Sequence, residues 1–158
     1  MKNLRIIYLI LLCACNKQQD VKPTPPPSTF RIPSASEAFE LQSKCSQLGE
    51  KILQDNFIGS ALTQEQISYY NPLDNRCYVE LNVHTADLSN PAARYIEHHS
   101  LFDGQTHEML ASAYVDGGKK SAFVFDPSLR KLVKDPTLAT NDEVEELIDS
   151  FISPERRR

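Results

Sequence analysis

Apolar and polar positions along this chain change their repeat several times, and each change marks an element. Ala38, Leu41, Cys45, Leu48 and Ile52 recur at spacings of three and four, the repeat of a helix that buries one face, and Ser34 or Ser36 stands ahead of them as an N-cap. Gly59 and Ser60 interrupt that pattern. Leu62 to Tyr70 predicts an irregular or single-turn helical segment, with Thr63 and Gln66 as an incomplete capping box, and Asn71-Pro72-Leu73-Asp74-Asn75 is turn chemistry. The period then drops to two: Cys77, Val79, Leu81 and Val83 alternate with Tyr78, Glu80 and Asn82, a strand with one apolar face.

Beyond Asn90 two readings compete. Asn90-Pro91 opens a helix well, whereas Tyr95 to Phe102 carries the aromatic and branched residues of a strand, and the strand is the expectation for residues 91–99. Met109 to Val115 and Ser121 to Phe125 predict two strands joined by Asp116-Gly117-Gly118-Lys119, a tight hairpin that Asp126-Pro127 ends. Thr140 and Glu143 form a capping box ahead of Val144, Leu147, Ile148, Phe151 and Ile152, an amphipathic helix running up to Pro154. The sum is an α+β fold: an N-terminal helix, an antiparallel meander of three or four strands, and a C-terminal helix able to cover one sheet face.

The first residues are of another kind. Lys2 and Arg5 precede Ile6-Ile7-Tyr8-Leu9-Ile10-Leu11-Leu12, an apolar run of the length secretory signals use and too short for the roughly 20 residues of a membrane span. It ends in Leu12-Cys13-Ala14-Cys15, and these four residues resemble the bacterial lipobox: a large aliphatic, two smaller residues and a cysteine, with Cys13 departing from the usual small residue at the second place. The resemblance implies cleavage after Ala14 and a diacylglycerol thioether on Cys15, which would become the mature amino terminus. Two or more acyl chains anchor stably where one does not. Asn16, in place of an aspartate after the lipidated cysteine, implies the outer membrane facing the periplasm in a Gram-negative source. From Asn16 the composition turns polar, and Pro23, Pro25, Pro26, Pro27 and Pro33 are half of the chain's 10 prolines. Such a segment stays extended, and at about 3.1 Å per residue it reaches on the order of 50 Å from a bilayer. The expected organisation is therefore residues 1–14 as signal peptide, 15–33 as lipidated cysteine and tether, 34–153 as one α+β domain, and 154–158 as a basic tail.

Charge narrows the partners. The formal net charge is -4, from 17 basic and 21 acidic residues. Loss of Lys2 and Arg5 with the leader leaves 15 against 21, or -6. A mildly acidic surface excludes nucleic acid and a polybasic grip on anionic lipid as general functions. With Cys13 removed and Cys15 acylated, Cys45 and Cys77 remain, an even pair in an exported domain, and the expectation is one disulfide joining the helix to the strand. Neither Cys-x-x-Cys nor zinc-ligand spacing accompanies them. Cys45, the run from Tyr70-Asn71 to Cys77-Tyr78-Val79, and Leu101-Phe102-Asp103 are together similar to a pattern in small uncharacterised bacterial exported proteins, with Tyr69 where those carry a histidine. That likeness implies a domain boundary and no activity.

Candidate chemistry is sparse. His84, His98, His99 and His107 fall within a short stretch, and His84, His98 and His107 are the candidate metal ligands, since adjacent His98 and His99 point to opposite faces of a strand. No Gly-x-Ser-x-Gly, His-Glu-x-x-His or phosphate-cradling loop occurs, and Gly117-Gly118-Lys119 lacks the helix a phosphate loop needs. No catalytic residue and no cofactor are expected. The expected function is that of a membrane-anchored, non-catalytic envelope lipoprotein whose stapled domain meets an envelope or exported protein, as an inhibitor, an immunity or exclusion factor, or an accessory subunit. The alternative is a small-ligand or metal-binding periplasmic lipoprotein.

Overall fold

A computed structural model describes residues 31–87, 94–134 and 139–153. Helix α1 spans Ala35–Asp55, strands β1 to β5 span Thr63–Asn71, Arg76–Asp87, Arg94–Asp103, Met109–Asp116 and Lys119–Val124, and helix α2 spans Asn141–Ile152. The five strands form one antiparallel sheet in sequence order, so every neighbouring pair is joined directly. The α+β reading stands, with a five-stranded meander instead of three or four strands.

The added strand is β1, which falls on the segment expected to be irregular or briefly helical. Its apolar residues do not alternate cleanly, because Ile67 and Tyr69 share a face with Glu65 while Tyr70 shares one with Gln64, Gln66 and Ser68. Pairing with β2 from Thr63 opposite His84 to Asn71 opposite Arg76 makes it a strand, and that partner lies outside its own sequence window. The ambiguous stretch after Asn90 resolves as β3 from Arg94 onward; residues 88–93 lie outside the described residues.

Both helices begin with a complete capping box. Ser34 and Glu37 cap α1, and Thr140 and Glu143 cap α2, each side chain satisfying a backbone N–H that the first turn leaves unpaired. Cys45 and Ile52 of α1 pack with Tyr70, Cys77, Val79, Leu81, Val83 and Phe102. Val144, Leu147, Ile148 and Ile152 of α2 pack with Tyr78, Leu101, Ala111, Ala113 and Val124. Successive strand residues point to opposite faces, so the two helices lie on opposite sides of the sheet, and Cys77 to Leu81 of β2 is buried throughout. Tyr78 and Glu80, polar in the alternation, lie inside because α2 covers them.

Gln42 seals the outer edge of β1. Its amide donates to the Ser68 carbonyl at 2.8 Å and accepts from the Tyr70 N–H at 2.8 Å, standing in for a neighbouring strand. Between β4 and β5, Gly117 (φ 54°) and Gly118 (φ 82°) take the two left-handed positions of a tight hairpin, as expected for that pair. The Cys45–Cys77 disulfide joins α1 to β2 with a Cα–Cα distance of 5.4 Å, both cysteines being fully inside. Gly104 passes directly over it: a Cβ there would stand 2.6 Å from the Cys77 sulfur and 2.9 Å from its Cβ.

Two outcomes follow for stability. Closing a span of 32 residues, the disulfide contributes roughly 3–4 kcal/mol in the chain-entropy treatment, so the double variant Cys45→Ala, Cys77→Ala unfolds at a correspondingly lower urea concentration than the oxidised parent. Gly104→Ala is expected to lose about 1–3 kcal/mol through overpacking against the bridge, and in the double variant, where that sulfur is gone, the same substitution is expected to cost less.

Candidate functional site

Cys15, the expected lipidation residue, lies outside the described residues. The three candidate metal ligands take up three separate places. His84 stands opposite Glu97 on the α2 side of the sheet, its ring 6.3 Å from that of His99. His98 projects to the other side, where its Nε2 is 2.6 Å from the Ser112 hydroxyl and 3.1 Å from that of Ser100, with the Tyr114 ring edge-on at 5.8 Å. His107 sits in the turn after β3 with φ 62°, its Nδ1 3.5 Å from a carboxylate oxygen of Asp55. Among the described residues no group of three His, Cys, Asp or Glu side chains is arranged to hold a metal ion.

The His98 pair with Ser112 has the contact distance of a nucleophile and its base, but the surroundings are those of a structural site. Ser100 and Ser112 are 2% and 5% exposed, and both hydroxyls meet the same ring nitrogen. Neither oxygen opens to where a substrate carbonyl would arrive. Burial, and secondarily the charge of His99, holds the His98 pKa below its ordinary value.

The densest ionisable cluster includes a histidine outside the candidate ligand set. His99 Nδ1 donates to Glu145 of α2 at 2.9 Å and lies 3.9 Å from Glu80 of β2. Glu80 is 7% exposed, and burial raises its pKa, opposed by a hydrogen bond with Asn82 and by the charge of His99. His99 is itself raised above 6.5, first by the Glu145 hydrogen bond and against the pull of burial. Glu80 sits at a polar position of an alternating strand and Glu145 in a run of helix carboxylates, so no local pattern announced their meeting.

A second polar network closes the opposite end of the sheet. Tyr78 donates its hydroxyl to Asp74 at 2.7 Å, and burial followed by that carboxylate pushes its pKa well above the usual tyrosine value. Asp103, almost fully buried, accepts the N–H groups of Gln105 and Thr106 at 2.8 and 3.0 Å and pairs with Arg76 at 3.2 Å. These bonds hold two turns together, which is a folding role.

Two exposed aromatic rings stand together at β5. Phe123 and Phe125 stack on each other with centroids 6.2 Å apart, yet they are 57% and 47% exposed. They lie on the face of β5 away from α2, since Ala122 and Val124 pack with the α2 core.

The His99 cluster makes stability depend on pH with a definite sign. A pKa raised by folding favours the folded state while the group is protonated, so the His99 contribution is complete below 6.5 and is lost as pH rises through the folded value. Glu80, also raised, loses its contribution in the same direction above 4.5, whereas His98, lowered, acts in the opposite sense below 6.5. The thermal midpoint is therefore expected to fall as pH rises above about 6.5, and Glu145→Gln to flatten that slope. Melts followed by circular dichroism check it; an unchanged slope in the variant removes the assignment.

Comparison of the chain with protein-family models, with curated proteins and with solved structures returns no match.

Proposed function

We propose that this protein is a lipid-anchored, non-catalytic component of a bacterial cell envelope that holds a disulfide-stapled domain on a tether for contact with another protein. The observation that carries the reading is the Cys45–Cys77 bridge, sealed between α1 and β2. A covalent staple of this kind belongs to domains that fold in oxidising compartments, where a single small core needs reinforcement. It supports export, and export is what the charged leader, the apolar run and Leu12-Cys13-Ala14-Cys15 are built for. The stacked, exposed Phe123 and Phe125 support a contact role, since aromatic side chains left outside a small domain are the type that protein interfaces collect.

The test is the chemistry of the amino terminus. Produced with its own leader in a bacterium, the chain is expected to appear in the membrane fraction with Cys15 as first residue and the mass of its acyl groups, and Cys15→Ser is expected to move it out of that fraction without lipid. Intact-protein mass spectrometry reads both. An unmodified Cys15, or a first residue elsewhere, overturns the anchoring.

A further inference from the structure

The two edges of the sheet are treated differently. On β1 the Gln42 amide occupies outward backbone groups, and Gln64 ties the same edge to the chain beyond α1 through Asn56 and Ile58. Immediately after β5, Phe125 donates its N–H inward to the Leu110 carbonyl, so by alternation Lys120, Ala122 and Val124 turn their backbone groups outward. Arg130 covers one of these, its Nε donating to the Val124 carbonyl at 3.1 Å. Among the described residues, the N–H and C=O groups of Lys120 and Ala122 and the N–H of Val124 meet no hydrogen-bonding partner and form an open ladder.

Charge is concentrated at that ladder. Lys119 and Lys120 stand on β5, and Arg130, Lys131 and Lys134 follow in the turn behind it, on a chain whose net charge is -4. Lysines on an edge oppose pairing with a second copy, because an added strand would have to strip water from their charged side chains. They favour a strand of the other sign. The Lys120 ion pair with Asp142 is exposed on both sides and so exchanges at little cost. Next to the lysines, Phe123 and Phe125 offer an apolar flank on the face that α2 leaves uncovered.

We infer that β5 is a docking edge for an extended, acidic segment of another protein, which adds a sixth strand to the sheet. This rests on the contact role proposed above and names the partner's chemistry. The order of side chains along β5 sets the partner's order. Residues beside Phe123, Val124 and Phe125 are apolar, residues beside Lys119 and Lys120 are carboxylates, and the middle is unconstrained beside Ser121 and Ala122. An antiparallel partner therefore reads apolar first and acidic last. Arg130 limits the ladder to a few residues, so the contact is short and reversible.

The probe is a fluorescein-labelled heptapeptide, Phe-Val-Val-Thr-Thr-Glu-Glu, with its reversed sequence for parallel pairing and a control carrying two lysines in place of the glutamates. With the full chain in mild detergent, one orientation of the acidic peptide is expected to bind, to weaken as salt is raised, and to shift backbone amides of residues 119–124. Lys119→Glu with Lys120→Glu is expected to weaken it at least about tenfold, the factor that separates a charge-matched contact from a repulsive one. Ala122→Pro is expected to do the same by removing an outward N–H while leaving the ladder to β4 intact; should that variant not fold, the lysine pair decides alone. No binding in either orientation, equal binding of the lysine control, or amide shifts away from β5 overturns the inference. Loss of peptide binding with Cys15 still acylated removes the edge alone, whereas an unacylated chain that binds the peptide removes the anchoring alone.

Discussion

Strand β2 is buried from both sides, and the rest of the domain is arranged to make that possible. Its odd positions from Cys77 to Val83 face α1 and its even positions begin with Tyr78 against α2, so the same strand belongs to both hydrophobic cores. Fully burying an aliphatic side chain contributes roughly 1.5–3 kcal/mol, and Val79, Leu101, Ile52, Val144 and Ile148 are all in that condition. The disulfide fixes α1 to this strand at Cys77, and Gly104 is kept bare so that the turn after β3 can lie against the bridge. Layer order, covalent staple and glycine position are consequences of one strand having to be covered twice.

That double coverage has a cost, and the polar clusters show where it falls. Glu80 enters the α2 side because β2 must alternate, and a carboxylate inside a core needs a partner. His99, reaching across from β3, stands 3.9 Å from that carboxylate and is itself held by a hydrogen bond to Glu145 of α2. On the other face His98 performs a comparable task for the hydroxyls of Ser100 and Ser112. Neighbouring histidines thus serve opposite faces of one sheet, His98 by hydrogen bonding buried hydroxyls and His99 by placing positive charge near a buried carboxylate.

The treatment of the edges extends the same economy of means to the surface. A meander of five strands has two free sides, and here a glutamine from α1 closes the first while an arginine closes only the end of the second. What is left on β5 is short, flanked by lysine and lined by two exposed aromatic rings, a composition that discourages self-association and suits a charged, extended partner.

Local order was legible in the amino acids wherever a period and a cap agreed: α1 with Ser34 and Glu37, α2 with Thr140 and Glu143, the apolar face of β2, and the glycine hairpin before β5. The pairing of Cys45 with Cys77 was also legible, since the helical period of α1 and the alternation of β2 place both cysteines on apolar faces. The tertiary structure alone decided three things. It made β1 a strand, because Thr63–Asn71 has no alternation of its own and takes its conformation from the ladder with β2. It put the helices on opposite faces, which turned Tyr78 and Glu80 from outward to buried. It gathered Glu80, His99 and Glu145 from three elements into one cluster while sending His84, His98 and His107 apart, because side-chain neighbourhood across a sheet depends on register, and register is set between strands instead of within them.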